Sequence, residues 1–451
     1  MTPNPCPSAL WILFALFLCS GGMAQAGPEI QSWQTASGAR VLFVAAPDLP
    51  MVDVRVVFDA GSARDGERSG LASLTAAMLT QGAGDWSADE IAARFENLGA
   101  ELSASADRDT TAVSMRTLTR QPAMEMAIET LSTLLSAPTF NEADLERLRR
   151  NRLISLRQDE ESPRSVGEKA LYRRVFGSHP YGSDPSGTAE TVTAITRDDL
   201  VDFHRRHFPA ANAVVAIVGA LDRPGAEELA ERMTAGLPPG GRAAALPGVV
   251  DLEAPVMERV SFPSSQTTVM AGQPGMRRGD PDYFALYVGN HILGGSGLVS
   301  LLMEEIREKR GLSYSTFSYF MPLAQPGPFL MGLQTKNEQA EEAREIMLAT
   351  LRRFIDEGPS EAELAAAKRN ITGGFPLRVA SNSDIVAYLA MIGFYGLPLD
   401  YLDRFTDRIE AVTAAQIKDA FARRLDPDRL ATVVVGGRGV GERTAGFGGD
   451  S

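Results

Sequence analysis

The residues of this chain whose types and spacing could do chemistry are four histidines, one glycine-rich loop and an arginine–tyrosine pair. His204 and His207 stand three apart, a spacing that can hold a metal. Within Phe203-His204-Arg205-Arg206-His207-Phe208, however, an amphipathic helix surface is the expected role. His179 lies in the loop His179-Pro180-Tyr181-Gly182 and His291 far downstream. Gly294-Gly295-Ser296-Gly297 could be read as a phosphate cradle, but the Lys-Ser/Thr that completes such a loop is missing. Arg307 and Tyr314 are seven residues apart; an arginine is a fixed charged donor and a tyrosine hydroxyl a directional one. Taken alone, they read as a surface arginine and a half-buried strand tyrosine.

These residues need elements to position them. Leu301, Leu302 and Ile306 give a helix its buried face, Arg307 falls in its last turn, and Gly311 is placed to cap it in the left-handed conformation. Tyr314 then begins a strand running to Phe320, so helix end and strand start converge on one rim. On a longer scale the chain is one unit written twice. An offset of 219 residues separates Glu142 from Glu361, Leu145 from Leu364 and Asn151 from Asn370. Each copy follows a helical apolar pattern (Ile128, Leu131, Leu134, Leu135; Ile346, Leu348, Leu351, Phe354). Each then meets a proline, Pro138 or Pro359, and a capping residue, Asn141 or Ser360. Two β-branched runs, Ala213 to Gly219 and Ala431 to Gly436, end the halves as strands. Strands over Arg40 to Ala45, Val52 to Asp59 and Thr267 to Gly272 open them. The expected organisation is a leader (1–26), a first half (27–235), a Gly/Pro-rich linker (236–255), a second half (256–440) and a tail (441–451). The order of elements is α+β, with mainly antiparallel sheets covered by helices.

Composition narrows the function. With 44% hydrophobic and 22% charged residues the chain is globular, and a net charge of −13 without a basic patch argues against nucleic acid. Basic runs such as Arg147 to Arg152, interleaved with leucine, read as a solvated helix face. The apolar run Ala9 to Leu18, followed by Ala24-Gln25-Ala26, reads as a secretory signal cleaved before Gly27, too short for a membrane span. An exported, periplasmic protein is expected. Both cysteines, Cys6 and Cys19, fall in the leader, which leaves the mature chain without disulfides, cysteine ligands or a cysteine nucleophile.

Gly61-Ser62-Ala63, Gly70-Leu71-Ala72 and Met78-Leu79-Thr80-Gln81-Gly82-Ala83 frame a segment that resembles the inverted zinc-motif peptidases of family M16, among them pitrilysin, insulin-degrading enzyme and mitochondrial processing peptidase. In that family a helix carries His-x-x-Glu-His, two zinc ligands and a general base. Here those places read Ser73, Ala76 and Ala77, and none can bind metal or take a proton. The third ligand of the family, a glutamate 76 to 78 residues further on, counts to Leu153, Ile154 or Ser155. The resemblance implies two homologous halves facing each other across a cavity, with no metal in this chain. It also implies that Arg307 and Tyr314 match an arginine and tyrosine that reach substrate, suited to a peptide carbonyl and its oxyanion. Gly294, Gly295, Ser296 and Gly297 become a close-approach, substrate-binding loop. Some members divide the labour between a zinc-bearing subunit and an Arg/Tyr subunit, and this chain resembles the second kind. The implied function is a non-zinc subunit of an exported metallopeptidase, binding peptide and acting in trans on a partner that has the intact motif and the zinc. A catalytically silent peptide-binding scaffold of the same fold is the alternative.

Overall fold

The computed structural model describes residues 29–437; the expected leader 1–26, with both cysteines, and the tail 441–451 lie outside them. The first half contains β1 (Gln31–Gln34), β2 (Arg40–Ala45), β3 (Met51–Phe58), a small hairpin of β4 (Gly82–Ala83) and β5 (Trp86–Ser87), β6 (Glu101–Ala106), β7 (Thr111–Leu118) and β8 (Ala213–Gly219). All but the hairpin form one sheet in the order β1-β2-β8-β3-β7-β6. The second half contributes β9 (Val256–Phe262), β10 (Gln266–Pro274), β11 (Ser313–Phe320), β12 (Pro328–Lys336) and β13 (Ala431–Gly437). Their order, β9-β13-β10-β12-β11, is that of the first sheet without β1. Among the described residues the only parallel strand pairs, β2 with β8 and β9 with β13, also correspond. The fold is α+β, written twice.

Sequence explains the places of the strands. β8 (Ala-Val-Val-Ala-Ile-Val-Gly) is buried at every position, as a central strand covered on both faces requires. β6 alternates exposed and half-buried residues and pairs only with β7, so its outer edge is free. The expected caps are present. The Asn141 side chain accepts from the Ala143 N–H at 2.8 Å, and Ser360 forms a reciprocal box with Glu363.

Two helices at the 219-residue offset, Pro163–Phe176 and Asn382–Tyr395, are exchanged between the halves. Each starts on a serine that accepts a backbone N–H, Ser162 from Ser165 and Ser381 from Asp384. The first lies on β10 and β13, the second on β8, β3 and β2. A single core therefore runs through both halves, joining Leu42, Val57 and Val214 to Val386, Leu389 and Ile392. The opposite face of the first sheet has its own core, in which Phe43 and Val54 meet Leu131 and Phe203.

Glycine sets the approach of these helices. A Cβ on Gly393 would stand 2.5 Å from Val214 Cγ1 and 2.6 Å from Leu42 Cδ1, in the middle of the joint. Gly393→Val should overpack it and lower stability by about 1–3 kcal/mol. Urea unfolding of the purified protein reads this as a lower midpoint, and an unchanged midpoint would show that the joint can yield.

The Gly/Pro-rich segment ahead of β9 is extended and pinned. The Ala243 N–H donates to Asn212 Oδ1 at 2.9 Å, and the His179 ring Nε2 donates to the Pro247 carbonyl at 3.0 Å. No helix of the described residues is long and apolar enough to cross a membrane.

Candidate functional site

The helix Leu71–Met78 carries the degenerate motif and packs against the helix Glu142–Glu160 and strand β6. Its start is held by Asp65, whose carboxylate accepts from the N–H groups of Gly70 and Ala72, both at 2.8 Å. Burial pushes that carboxyl up to about 7, and the backbone donors only partly offset the rise. Leu71, Leu74 and Met78 face the core, Ala76 is buried, and Ser73 and Ala77 share a half-buried face.

The residue that meets Ser73 from the neighbouring helix is Arg152, whose Nη2 donates to Ser73 Oγ at 2.6 Å. Of the positions expected for the third ligand, Leu153 packs against the core, Ile154 is exposed and the Ser155 hydroxyl donates back to the Asn151 carbonyl. A hydroxyl, two methyl groups and a guanidinium thus occupy the site, and they do not fit zinc, which needs neutral imidazole, thiolate or carboxylate donors. Among the described residues no group of three or more His, Cys, Asp or Glu could hold a metal.

The run Arg147 to Arg152 is a solvated face only in part, at the exposed Arg147 and Arg150. Arg149 turns inward to donate to the carbonyls of Val192 and Ile195, and Arg152 to Ser73. The surface reading of His204 is corrected as well. His204 is buried beside Phe140 and Phe208, and its Nε2 donates to the Leu135 carbonyl at 2.8 Å. Burial, with Arg206 and Arg64 nearby, holds the His207 ring down at about 4.

Beside the vacated motif, the free edge of β6 borders an open groove of about 970 Å³ whose walls include Gln81, Phe95, Leu102, Ala104 and Arg147. Unpaired backbone donors and acceptors along such an edge are what an extended peptide can pair with.

In the second half, the segment from His291 to Glu308 packs along β11. A π-helical turn over His291–Gly295 brings Gly294 against β11, where a Cβ would stand 2.4 Å from Ser318 Oγ. Gly297 has φ +64°, and the following Leu298 and Val299 are exposed. Ser300 caps the short helix Leu301–Met303, which continues as a π turn over Glu304–Glu308 with Leu302 and Ile306 fully buried. Gly311 ends it at φ +61°, its N–H donating to the Arg307 carbonyl at 2.9 Å while the Leu312 N–H reaches the Ile306 carbonyl.

An irregular register between Ser313 and Thr316 lifts Tyr314 from the pleat. Its side chain is 82% exposed, not half-buried, with the Arg307 guanidinium 4.7 Å from its ring centre. Arg307 has no ion pair among the described residues besides a loose one to Glu308 at 3.6 Å.

The turn under this pair rests on Glu305, a residue the sequence did not single out. Its buried carboxylate meets Lys309 at 2.9 Å, Arg310 at 2.7 Å and Arg353 at 3.0 Å. Those hydrogen bonds hold it at about 2, outweighing the desolvation that raises it. Because its folded value lies below the ordinary 4.5, its stabilisation is full above about 4.5 and is lost as pH falls toward about 2. Wild type and Glu305→Gln should therefore differ in stability near neutral pH and converge at the acid end. A constant gap in acid titrations would refute this role for Glu305.

The chain superposes on the crystal structure of a peptidase M16 inactive domain from Pseudomonas fluorescens with a TM-score of 0.88 and 38% identity, covering 90% of this chain and 98% of that one. The chain belongs to peptidase family M16. Residues 40–189 match the insulinase (peptidase family M16) domain and residues 194–371 the peptidase M16 inactive domain. Two curated M16 relatives are each 27% identical: an uncharacterized zinc protease of Streptomyces coelicolor (80% of this chain, 79% of that protein) and the non-peptidase homolog YmxG of Helicobacter pylori (86% and 89%). Within this M16 chain, no hydrogen bond or ion pair among the described residues links the Ser73 cluster to the Arg307–Tyr314 cluster.

Proposed function

We propose that this chain is the non-zinc subunit of an exported M16 metallopeptidase. It binds an extended peptide and lends Arg307 and Tyr314 in trans to a partner with an intact His-x-x-Glu-His motif and its zinc. One contrast carries the reading. The metal positions are replaced and blocked by Arg152, while the arginine and tyrosine keep their spacing, Tyr314 exposed and Arg307 half-buried against its ring. A silent scaffold has no need of that pair. In this reading the peptide lies along the β6 edge and the Gly294–Gly297 loop approaches its backbone.

The test mixes the purified mature chain with a zinc-bearing M16 homologue from the same genome and follows peptide hydrolysis and dimer formation. Activity is expected from the mixture and not from this chain alone. Chelator-sensitive hydrolysis by this chain alone, or a partner indifferent to its addition, would defeat the proposal. Export rests on residues 1–26 and is checked by the native N-terminus, expected at Gly27.

A further inference from the structure

The net charge of −13 conceals one strongly cationic place. Where the halves meet, a pocket of about 630 Å³ takes Asp59 and Asn212 from the first half, Arg242 from the connecting segment, and Arg277, Arg278 and Arg408 from the second. None of these four arginines has a side-chain hydrogen bond or an ion pair among the described residues. The two carboxylates of the pocket are already neutralised from outside it. Asp59 is held in a fork by Arg64 at 2.7 and 2.6 Å, and Asp280 is paired with Arg424 at 2.7 Å.

Arg278 is the informative member. Its Nε is buried with no hydrogen-bond partner, a costly state for a charged donor. The group is also fixed. The Arg278 N–H donates to the Leu323 carbonyl at 2.7 Å, Gly279 turns the chain at φ +79°, and the rings of Tyr395 and Tyr283 flank the guanidinium at 5.5 and 5.8 Å. Arg408 lies over the Phe284 ring at 5.4 Å. Planar donor forks between aromatic faces, in a volume of small-molecule size, suit an oxyanion ligand.

We infer that this pocket binds a small, multiply charged oxyanion, a polycarboxylate or a polyphosphate, whose oxygens take the idle donors of Arg278 and its neighbours. The site lies apart from Arg307 and Tyr314 and does not depend on their role. Because its walls come from both halves, the ligand also clamps the joint.

The test is isothermal titration calorimetry of the full mature chain with citrate and, separately, pyrophosphate, at constant ionic strength. The better of the two anions identifies the class. Saturable one-to-one binding is expected, weakened about tenfold or more by Arg278→Gln and by the exposed Arg408→Gln. Arg205→Gln, outside the walls of the pocket and paired with Asp202, should change nothing. Arg408→Gln decides the matter if Arg278→Gln fails to fold. No saturable heat with either anion, or binding untouched by the Arg408 substitution, would overturn the inference.

Discussion

Tyr314→Phe is expected to lower turnover of the reconstituted peptidase by about 10²–10³, the cost of one oxyanion donor, while leaving subunit association intact. The substitution removes one hydroxyl from a residue that is 82% exposed and keeps the ring that lies against Arg307, so little of the fold depends on it. Arg307→Ala should weaken peptide binding as well, because a charged donor is lost in ground and transition states alike. Steady-state kinetics of each variant mixed with the zinc-bearing partner, with gel filtration as the assembly check, separates the two effects. Wild-type rates from both variants would leave only the scaffold reading.

The second large effect concerns the vacated motif. Writing the family residues back in, as Ser73→His, Ala76→Glu and Ala77→His, supplies two imidazoles and a base but leaves the Arg152 guanidinium beside them. A fixed cation a few ångströms from a dication repels it, and a catalytic zinc needs three protein ligands. The triple variant should therefore bind zinc poorly. Adding Arg152→Glu should raise its affinity on the order of 100-fold or more, by removing a like charge and adding a ligand. Competition against a chromophoric chelator measures both. A triple variant that binds zinc as tightly as the quadruple one would show that Arg152 is no obstacle.

Much of the fold was legible because its signals are local. Pro138 and Pro359 stop helices, Asn141 and Ser360 start them, and the β-branched runs of β8 and β13 announce buried strands. The exchange of helices was not legible. Asn382–Tyr395 is apolar on several sides, so its periodicity cannot say which of two sheets it covers. At the site, the helix end at Gly311 and the positions of Arg307 and Tyr314 followed from sequence. Arg152 was hidden in a run whose charges all look solvated, and only the packing of two helices turns it inward. The exposure of Tyr314 depends on a register irregularity that composition does not encode. The arginine pocket is assembled from segments scattered between Asp59 and Arg408, which no local pattern brings together.

In the proposed assembly the exchanged helices also bear on how a peptide would gain entry. Neighbouring domains normally swing on their connection unless a large apolar interface locks them, and here each half holds a helix of the other in a buried apolar cluster. Among the described residues the halves are then left without a hinge, and in the proposed assembly the opening and closing of a chamber would fall to the contact with the partner. A protease that nicks the segment around Arg242 would leave two fragments still gripping each other.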